Sequence, residues 1–324
     1  MPKSNDDFAN VVTSLAGLQI SCHSDSATAP MLQSFAPTAT DLHKATSLHI
    51  SIALDEHGLD EALGRGGTAS THMRRGNDHA WINEQPRRLQ TLVMDTPSHA
   101  RLLVDETFVR DAAVMARPVA ESIEAWATQN DVYPLHASAV EFGGNGVLFV
   151  GESGRGKTTT ALALATRGWA LIADDRCFLT DREGDYELHG LYASTVVTKE
   201  VADRNGELIG EHIGVTREGK IAARLPPHMK FTRNARLRGV VILNHQHDEP
   251  YSLTKLGTRA AISAWQEALL PTQRLLGSAT SLFSLLINVS QQIPIWRLNL
   301  GWEFRLLDRA LRQLTETDYG RTDL

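Results

Sequence analysis

Cysteine is scarce in this chain. Among 324 residues only Cys22 and Cys177 occur, too far apart to form a metal site or a Cys-x-x-Cys redox motif. Long apolar runs are also missing, so the sequence predicts no membrane-spanning helix. The opening residues MPKSNDDFAN carry acidic side chains where a signal peptide has its apolar core. Together these absences predict a cytoplasmic protein in a reducing compartment, with no membrane partner.

Positive charge is in short supply as well. Lysine and arginine number 32 against 38 aspartate and glutamate residues, which gives a formal net charge of -6. We therefore predict no nucleic-acid partner, and any positive charge that binds phosphate must be local. The hydrophobic share of 42% and the charged share of 22% are ordinary for globular proteins, which excludes wholesale disorder and fibrous classes.

The length of the chain favours two compact units. We predict a loosely ordered N-terminus over residues 1–45, in which residues 11–20 could form a strand or a short helix. A small β-rich accessory domain follows over residues 46–130, indicated by alternating segments such as SLHISIAL and HARLLVDE and closed by a bridging helix over residues 111–130. Residues 131–324 form the second predicted domain.

The second domain has an α/β pattern. It opens with LHASAVEF, the turn GGNG and VLFVG, which predict a β-hairpin whose second strand runs into a glycine-rich loop. A helix is predicted from about residue 157 to 166, with later helices near residues 258, 279 and 302. The remaining predicted strands are WALIA, RCFLT, YELHGL, KIAAR and GVVIL. A hairpin that leads into the loop implies a mixed sheet.

The glycine-rich loop has the pattern of a phosphate-binding P-loop, and it lies between a predicted strand and a predicted helix, as that motif requires. Its glycines allow backbone N–H groups to converge on phosphate oxygens, and the helix directs its positive end toward them. Lys157 would reach the β- and γ-phosphates, and the hydroxyl of Thr158 would bind Mg²⁺. The alternative, a glycine-rich turn that caps a helix, leaves Lys157 unexplained. The motif predicts ATP and Mg²⁺ as cofactors, and the predicted nucleotide-binding residues are Gly151, Glu152, Ser153, Gly154, Arg155, Gly156, Lys157, Thr158 and Thr159.

An acidic pair, Asp174 and Asp175, follows the apolar segment WALIA. The carboxyl ends of strands face the ligand in α/β sheets. We predict that one carboxylate of the pair holds Mg²⁺ and that its neighbour, which projects differently, accepts the proton of the substrate hydroxyl. The alternative is a solvated turn after a strand.

Together these residues resemble the bacterial HPr kinase/phosphorylase family, whose catalytic domain is related to phosphoenolpyruvate carboxykinase. The resemblance covers roughly residues 133–191, with weaker echoes to about Trp296. It rests on LHASAVEF, VLFVGESGRGKTTTALALATRGWALIADD and ELHGL. It implies an α/β fold in which a P-loop kinase domain with a mixed sheet follows a smaller β-rich N-terminal domain.

The resemblance also implies site residues. By position, the catalytic histidine of the family falls on His136, and its acidic pair falls on Asp174 and Asp175, with the second as proton acceptor. A further metal-associated glutamate falls on Glu187 of ELHGL. Taken alone, His136 is better explained as a histidine satisfied inside a strand, and the other matches favour the site. The implied metal-binding set is Thr158, Asp174 and Glu187.

An arginine that stabilises the transferring phosphoryl group is also implied by the resemblance. Arg236 or Arg238, ahead of the strand GVVIL, lies in the corresponding region, and we assign the role to Arg238. The alternative is a solvated edge of the strand. The implied catalytic residues are therefore Asp175, His136, Lys157 and Arg238.

The sequence also departs from the family. Thr158 replaces a serine, a change that keeps the hydroxyl. The glycine-rich segment that the family uses for phosphorolysis and HPr docking is missing, and YSLTKLGTRAAISAWQEALL and IPIWRLNLG resemble kinase-like proteins encoded beside peptide-tailoring genes. This speaks against HPr as the acceptor.

Three functions remain open from the sequence. The first is an ATP-dependent kinase that phosphorylates Ser or Thr of a peptide or small protein, with peptide natural-product tailoring as one setting. The second is a kinase of a small metabolite such as free serine or a sugar. The third is a regulator that binds the nucleotide without phosphoryl transfer. A homo-oligomer is compatible with all three.

Overall fold

A computed structural model of the chain describes residues 9–36, 47–54, 72–74, 79–82, 90–96, 99–104, 106, 110–204, 206–244, 252–265, 279–299 and 304–316. The described residues fall into two compact units. The first takes its residues from Met1–Gln129, Leu191–Ala202 and Ile209–Leu225, and the second from Asn130–Gly190, Asp203–Leu208 and Pro226–Leu324. None of the described helices is long and apolar enough to cross a membrane.

The first unit is built on a seven-stranded sheet with the order β1-β2-β3-β7-β6-β5-β4. Strands β2, β3 and β7 run parallel, and the other neighbours are antiparallel. Buried Leu48, Ile50 and Ile52 of β3 alternate with more exposed residues, the period-2 pattern of a strand with one covered face. The strands are β1 (Ala9–Leu15), β2 (Leu18–Ser24), β3 (Ser47–Leu54), β4 (His72–Arg74), β5 (His79–Ile82), β6 (Gln90–Thr96) and β7 (His99–Val104).

The N-terminal segment corrects one prediction. Residues 9–24 are not loosely held, because β1 and β2 form an antiparallel hairpin at the edge of this sheet. A two-residue turn of Ala16 and Gly17 joins the strands, and both residues have positive φ, 54° and 82°. Such turns favour Asn-Gly or Asp-Gly. The sequence has alanine in the first turn position, so the turn pattern did not indicate a hairpin. A 3₁₀ helix, Ala29–Ser34, follows.

The predicted helix over residues 111–130 is also wrong as a single element. It is two helices, α1 (Ala112–Ala116) and α2 (Ala120–Thr128). The break falls at Pro118, since proline disfavours the helical conformation in the residue before it, and Arg117 is non-helical with φ -138°. Helix α1 packs on a second sheet of the same unit, with the order β14-β16-β15. Its strands are β14 (Ser194–Val197), β15 (His212–Val215) and β16 (Ile221–Arg224).

The second unit contains a nine-stranded sheet. Its main path is β11-β9-β10-β17-β13-β12-β8, and β19 pairs with β17 and β18. Within this sheet, among its described strands, only β10, β17 and β19 pair in parallel, so the predicted mixed sheet is confirmed. The strands are β8 (Val132–Leu135), β9 (Ser138–Phe142), β10 (Asn145–Val150), β11 (Ala170–Ala173), β12 (Cys177–Arg182), β13 (Asp185–Gly190), β17 (Asn234–Leu243), β18 (Ser252–Lys255) and β19 (Ile295–Asn299).

The helices of the second unit follow its strands. They are α3 (Lys157–Ala165), α5 (Thr258–Trp265), α6 (Ala279–Gln292) and α7 (Phe304–Glu316), whereas α4 (Lys199–Arg204) spans the boundary between the units. The core is aliphatic and includes fully buried Leu148, Leu188 and Val240. A Cβ on Gly190 would lie 1.7 Å from the carbonyl oxygen of Ile172, so only glycine fits where β13 passes β11.

A cluster of polar contacts connects helix α7 to the turn after α3 and to the sheet. The indole N–H of Trp169 donates to a carboxylate oxygen of Asp308 at 2.7 Å. Arg312 donates to the same oxygen at 2.8 Å, and its guanidinium lies 3.9 Å above the ring of Phe142. Because Trp169 closes the turn between α3 and β11, this cluster holds the elements that carry the candidate site.

Candidate active site

The glycine-rich loop connects β10 to α3, as the motif requires. Gly156 is the N-cap of α3, and Lys157 is its first residue. Gly154 and Gly156 have φ of 82° and 89°, the left-handed region that side chains disfavour, although a Cβ would meet no atom at either position. Backbone conformation, rather than lack of space, therefore requires glycine here.

Lys157 closes the loop on itself. Its Nζ donates to the carbonyl oxygens of Gly151 at 2.6 Å and of Glu152 at 3.0 Å. The residue is buried, with 6% of its surface exposed. A buried ammonium group is costly without oxygen partners, so the loop carbonyls stabilise it in place. At the outer side of the loop, Arg155 pairs with Glu152 at 2.9 Å.

Asp174, the first residue of the acidic pair, accepts hydrogen bonds from two hydroxyl groups. The hydroxyl of Thr158 donates to its Oδ1 at 2.5 Å, and the hydroxyl of Ser138 donates to the same oxygen at 3.2 Å. Asp174 follows β11 directly and is 5% exposed. Its neighbours in the sheet place it there, because β11 pairs with β9 next to β10. The fold thus brings together Thr158 and Asp174.

Asp175 has a different setting from its neighbour. It is the central residue of a three-residue γ-turn, with the Arg176 N–H donating to the Asp174 carbonyl at 2.9 Å, and its φ is 68°. Such turns with positive φ are rare and strained. The carboxylate lies 2.9 Å from Nδ1 of His136 and 3.8 Å from Nε of Arg176. Strain of this kind concentrates at functional sites.

His136 lies outside the strands, which corrects the expectation that LHASAVEF is one continuous strand. The segment divides into β8 and β9, and His136 and Ala137 form the break. The imidazole can therefore meet Asp175, which comes from the turn between β11 and β12. The side chains of His136 and Asp175 are each 25% exposed.

Glu187 has its contacts elsewhere. It lies within β13, where it pairs with Thr180 of β12. This position is three residues before Gly190, which pairs with Cys177 at the start of β12. Its carboxylate accepts from the amide of Asn234 at 2.5 Å and lies 3.5 Å from Nε2 of His189. The structure therefore does not bring Glu187 into contact with Asp174.

Arg238 also lies away from the loop. Its Nε donates to Oδ1 of Asn145 at 3.0 Å. Asn145 begins β10, and the loop begins at Gly151, so about 20 Å of strand separates them at a rise of ~3.3 Å per residue. The neighbouring Arg236 pairs with Asp185 at 2.6 Å. The implied role of Arg238 beside the phosphates therefore has no geometric support.

The described residues contain no group of three or more His, Cys, Asp or Glu side chains that could hold a metal ion. The oxygen atoms of Thr158 and Asp174 are nevertheless ligands of the kind that Mg²⁺ prefers, and such sites commonly supply one or two carboxylates and leave the rest to phosphate and water. These two residues fit that partial arrangement.

Two side chains that contact the acidic pair were not identified from the sequence. Ser138 reaches Asp174 from β9, and Arg176 flanks Asp175. Arg176 follows the acidic pair directly and could have been noticed by position. Ser138 stands two residues after His136, but its contact with Asp174 depends on the pairing of β9 with β11, in which Ala139 lies opposite Ala173.

Comparisons with known proteins bear on this same segment. Residues 103–207 match the family described as SynChlorMet cassette protein ScmC, a range that contains the loop, the acidic pair and His136. HPr kinase/phosphorylase of Lactobacillus delbrueckii subsp. bulgaricus is 53% identical over 49 residues, and that of Clostridium beijerinckii is 46% identical over 50 residues. The predicted resemblance to HPr kinase/phosphorylase is confirmed.

The reach of these matches is short. Each covers 15% of this chain, and the chain spans 16% and 17% of the length of the two relatives. The solved structure of the Hpr(Ser) kinase/phosphatase from Coxiella burnetii is 16% identical and aligns with 56% of this chain and 94% of its own, at a TM-score of 0.30. That score is too low to establish a shared fold.

Proposed function

We propose that this protein is an ATP- and Mg²⁺-dependent kinase that transfers the γ-phosphoryl group to a hydroxyl of Ser or Thr in a peptide or small protein. One observation carries the proposal: the fold connects the loop to a base through adjacent residues. Thr158 contacts Asp174 at 2.5 Å, and the next residue, Asp175, contacts His136 at 2.9 Å. A loop that only binds nucleotide needs neither Asp175 nor His136.

The loop would bind the phosphates through its backbone N–H groups and Lys157. Lys157 would exchange the carbonyl oxygens of Gly151 and Glu152 for phosphate oxygens, because a charged acceptor makes a stronger hydrogen bond than a neutral one. Phosphoryl transfer depends mainly on positioning and on neutralising charge. The loop supplies both for the nucleotide.

Asp175 would accept the proton of the acceptor hydroxyl. Its quarter-exposed carboxylate is reachable from solvent, and His136 fixes one of its oxygens at 2.9 Å. The other oxygen lies 3.8 Å from Nε of Arg176, so a cation flanks the carboxylate. Asp175 lies in the γ-turn between β11 and β12, outside both strands.

Mg²⁺ would be held by Thr158 and Asp174 and would neutralise charge on the phosphates when bound. Ser138 and Thr158 both donate to Oδ1 of Asp174 and so orient its carboxylate. We leave Glu187 out of this set, because its carboxylate is bound to Asn234 and adjoins His189.

The acceptor is proposed to be a peptide or small protein other than HPr. The relatives are named HPr kinase/phosphorylase, but their similarity is confined to about one sixth of their length. Metal, loop and base can persist in a family while the acceptor groove changes, since transfer needs mainly positioning around the γ-phosphate. We therefore expect neither HPr phosphorylation nor phosphorolysis.

Calorimetry with ATP·Mg²⁺ tests nucleotide binding. Lys157→Ala should abolish tight binding, because it removes the ammonium group that meets the phosphates, and circular dichroism should show an unchanged fold. Lys255→Ala, a change at an exposed lysine of β18, is the control and should bind like the parent protein. Equal affinity of Lys157→Ala and parent, with both folded, would refute the nucleotide site.

The acceptor is tested by phosphate transfer from ATP·Mg²⁺ to three classes of substrate: HPr, peptides encoded near this gene, and free serine with common sugars. We expect phosphopeptide only. Phosphate on HPr, or pyrophosphate released from phospho-HPr and inorganic phosphate, would contradict the acceptor assignment. Transfer only to a metabolite would favour a small-molecule kinase, and tight ATP binding without any transfer would favour a regulator.

A further inference from the structure

The side of the loop away from the acidic pair borders a cavity of about 440 Å³. It lies at the carboxyl ends of the parallel strands β17 and β19 and against helix α5. Ligands in α/β sheets bind outside the carboxyl ends of such strands. The lining residues are Glu152, Arg155, Ile242, Leu243, Asn244, Ala260, Ser263, Ala264 and Arg297.

The wall of this cavity has an apolar part and a polar part. Ile242 and Leu243 from the end of β17 form part of the apolar surface. Asn244, held by a hydrogen bond from its Nδ2 to Asn299 Oδ1 at 3.2 Å, adds an amide. The guanidinium of exposed Arg297 makes no ion pair or hydrogen bond with another residue in the part of the chain that the structure describes. The wall is more polar than apolar, and convergent polar groups of this kind fix the orientation of a small ligand.

The position of the cavity relative to the loop limits what it can hold. The reacting end of a nucleoside triphosphate is its γ-phosphate, which the proposed function places at Thr158 and Asp174. The nucleoside is at the opposite end of the phosphate chain. Glu152 and Arg155, which precede Lys157 in the loop, belong to the cavity wall. The cavity therefore begins at the flank of the loop that the acidic pair does not occupy.

We propose that this cavity binds the nucleoside portion of the nucleotide, with Arg297 stacked on the base and Asn244 hydrogen-bonded to the base edge. The planar guanidinium stacks well on aromatic rings, and an amide offers both a donor and an acceptor. A volume of about 440 Å³ lies in the usual range for small ligands and is too small for a folded acceptor. The inference rests on the proposed function, because it needs the phosphates in the loop.

Two ligands separate the inference from the proposed function. Inorganic tripolyphosphate with Mg²⁺ can occupy only the loop, whereas ATP·Mg²⁺ would occupy the loop and the cavity. Calorimetry on the full chain should show that the parent protein binds ATP more tightly than tripolyphosphate. Arg297→Ala should weaken ATP about tenfold, the size expected for a cation over a desolvated ring, and leave tripolyphosphate affinity unchanged.

Ser263→Trp is a second variant, and it fills the cavity from an exposed position on α5. It should also lose affinity for ATP alone, and a normal circular dichroism spectrum would show that it folds. Arg309→Ala, at an exposed arginine on α7, is the matched control and should change neither affinity. The expected pattern is loss of ATP affinity in both cavity variants with tripolyphosphate binding intact.

Three outcomes would overturn the inference. Equal affinity of the parent for ATP and tripolyphosphate would mean that no nucleoside is recognised, although the loop binds phosphate. Unchanged ATP affinity with a raised KM for the acceptor in Arg297→Ala would assign the cavity to the acceptor. If the parent binds neither ligand, the proposed function fails and the inference fails with it.

Discussion

Among the described residues of the second unit are two histidine–carboxylate pairs, and they differ in how they arise. Nδ1 of His136 lies 2.9 Å from Asp175, and these residues are far apart in sequence, in two separate connections. Nε2 of His189 lies 3.5 Å from Glu187, two residues earlier on the same strand. Residues i and i+2 share one face of a strand, so the second contact follows from local geometry alone. The first exists because β8 pairs with β12, with Leu135 opposite Cys177, so the residue after β8 lies next to the turn before β12.

Exposure separates the two pairs as well. The side chains of His136 and Asp175 are quarter-exposed, whereas His189 is buried and bonded to Thr180 through Nε2 at 3.0 Å. Burial lowers the pKa of His189 to about 4, with a further contribution from Arg182. The comparison shows that a short distance between an imidazole and a carboxylate does not by itself indicate a catalytic site. Access to a ligand and a backbone held in an unusual conformation are better evidence.

The largest effect is expected from Asp175→Asn. Loss of a positioned base lowers turnover by roughly 10²–10⁴-fold, and the affinity for ATP should stay close to that of the parent protein because the loop is unchanged. Steady-state turnover and calorimetric affinity measure the two quantities. Glu187→Gln makes the same chemical change in the other pair and should leave turnover within a few-fold of the parent. Equal losses in the two variants would end the distinction between the pairs.

A smaller effect is expected from Asp174→Asn. The amide keeps the shape of the side chain and removes the charge, so the Mg²⁺ concentration for half-maximal rate should rise on the order of tenfold. A Mg²⁺ titration of the rate measures this, and saturating Mg²⁺ should restore most of the turnover. Ser138→Ala tests the orienting hydroxyl and should shift the titration less. Rescue of Asp175→Asn by Mg²⁺, but not of Asp174→Asn, would reverse the two roles.

The site could be predicted from the sequence where its residues stand at the ends of elements that are close along the chain. The loop follows β10, the acidic pair follows β11, and one helix separates them, so pattern and order were sufficient. Glu187 shows the limit. Its position matched a motif, but the register of β13 against β12 decides where the carboxylate lies, and a pattern of residues does not contain that register.

The fold was predictable to a similar degree. The hairpin into the loop and the mixed sheet follow from strand patterns, whereas the N-terminal hairpin did not, because Ala16 is an uncommon residue at a position with positive φ. The cavity lay beyond prediction for another reason. Glu152, Asn244 and Arg297 are distant in sequence, and only the parallel pairing of β10, β17 and β19 brings them to one edge.

The smallest effect on turnover is expected from substitution of His189, because this buried histidine contributes to stability and not to the reaction. Its pKa in the folded protein is about 4, below the ordinary 6.5, so the unfolded chain binds a proton that the folded chain does not between those values. Stability should therefore fall as the pH drops through that window, by up to about 1.4 kcal/mol per pH unit from this group, and should be independent of it above pH 6.5.

His189→Gln isolates this contribution, because the amide can still bond to Thr180 but does not titrate. Urea unfolding at pH 7.5, 6.0 and 5.0 should show a shallower loss of stability in the variant than in the parent protein, while ADP release at pH 7.5 stays within a few-fold. His228→Gln, an exposed histidine of the same unit, is the control and should keep the slope of the parent. If His189→Gln keeps that slope too, the buried histidine does not titrate with folding; if it loses turnover as Asp175→Asn does, the second pair belongs to the active site.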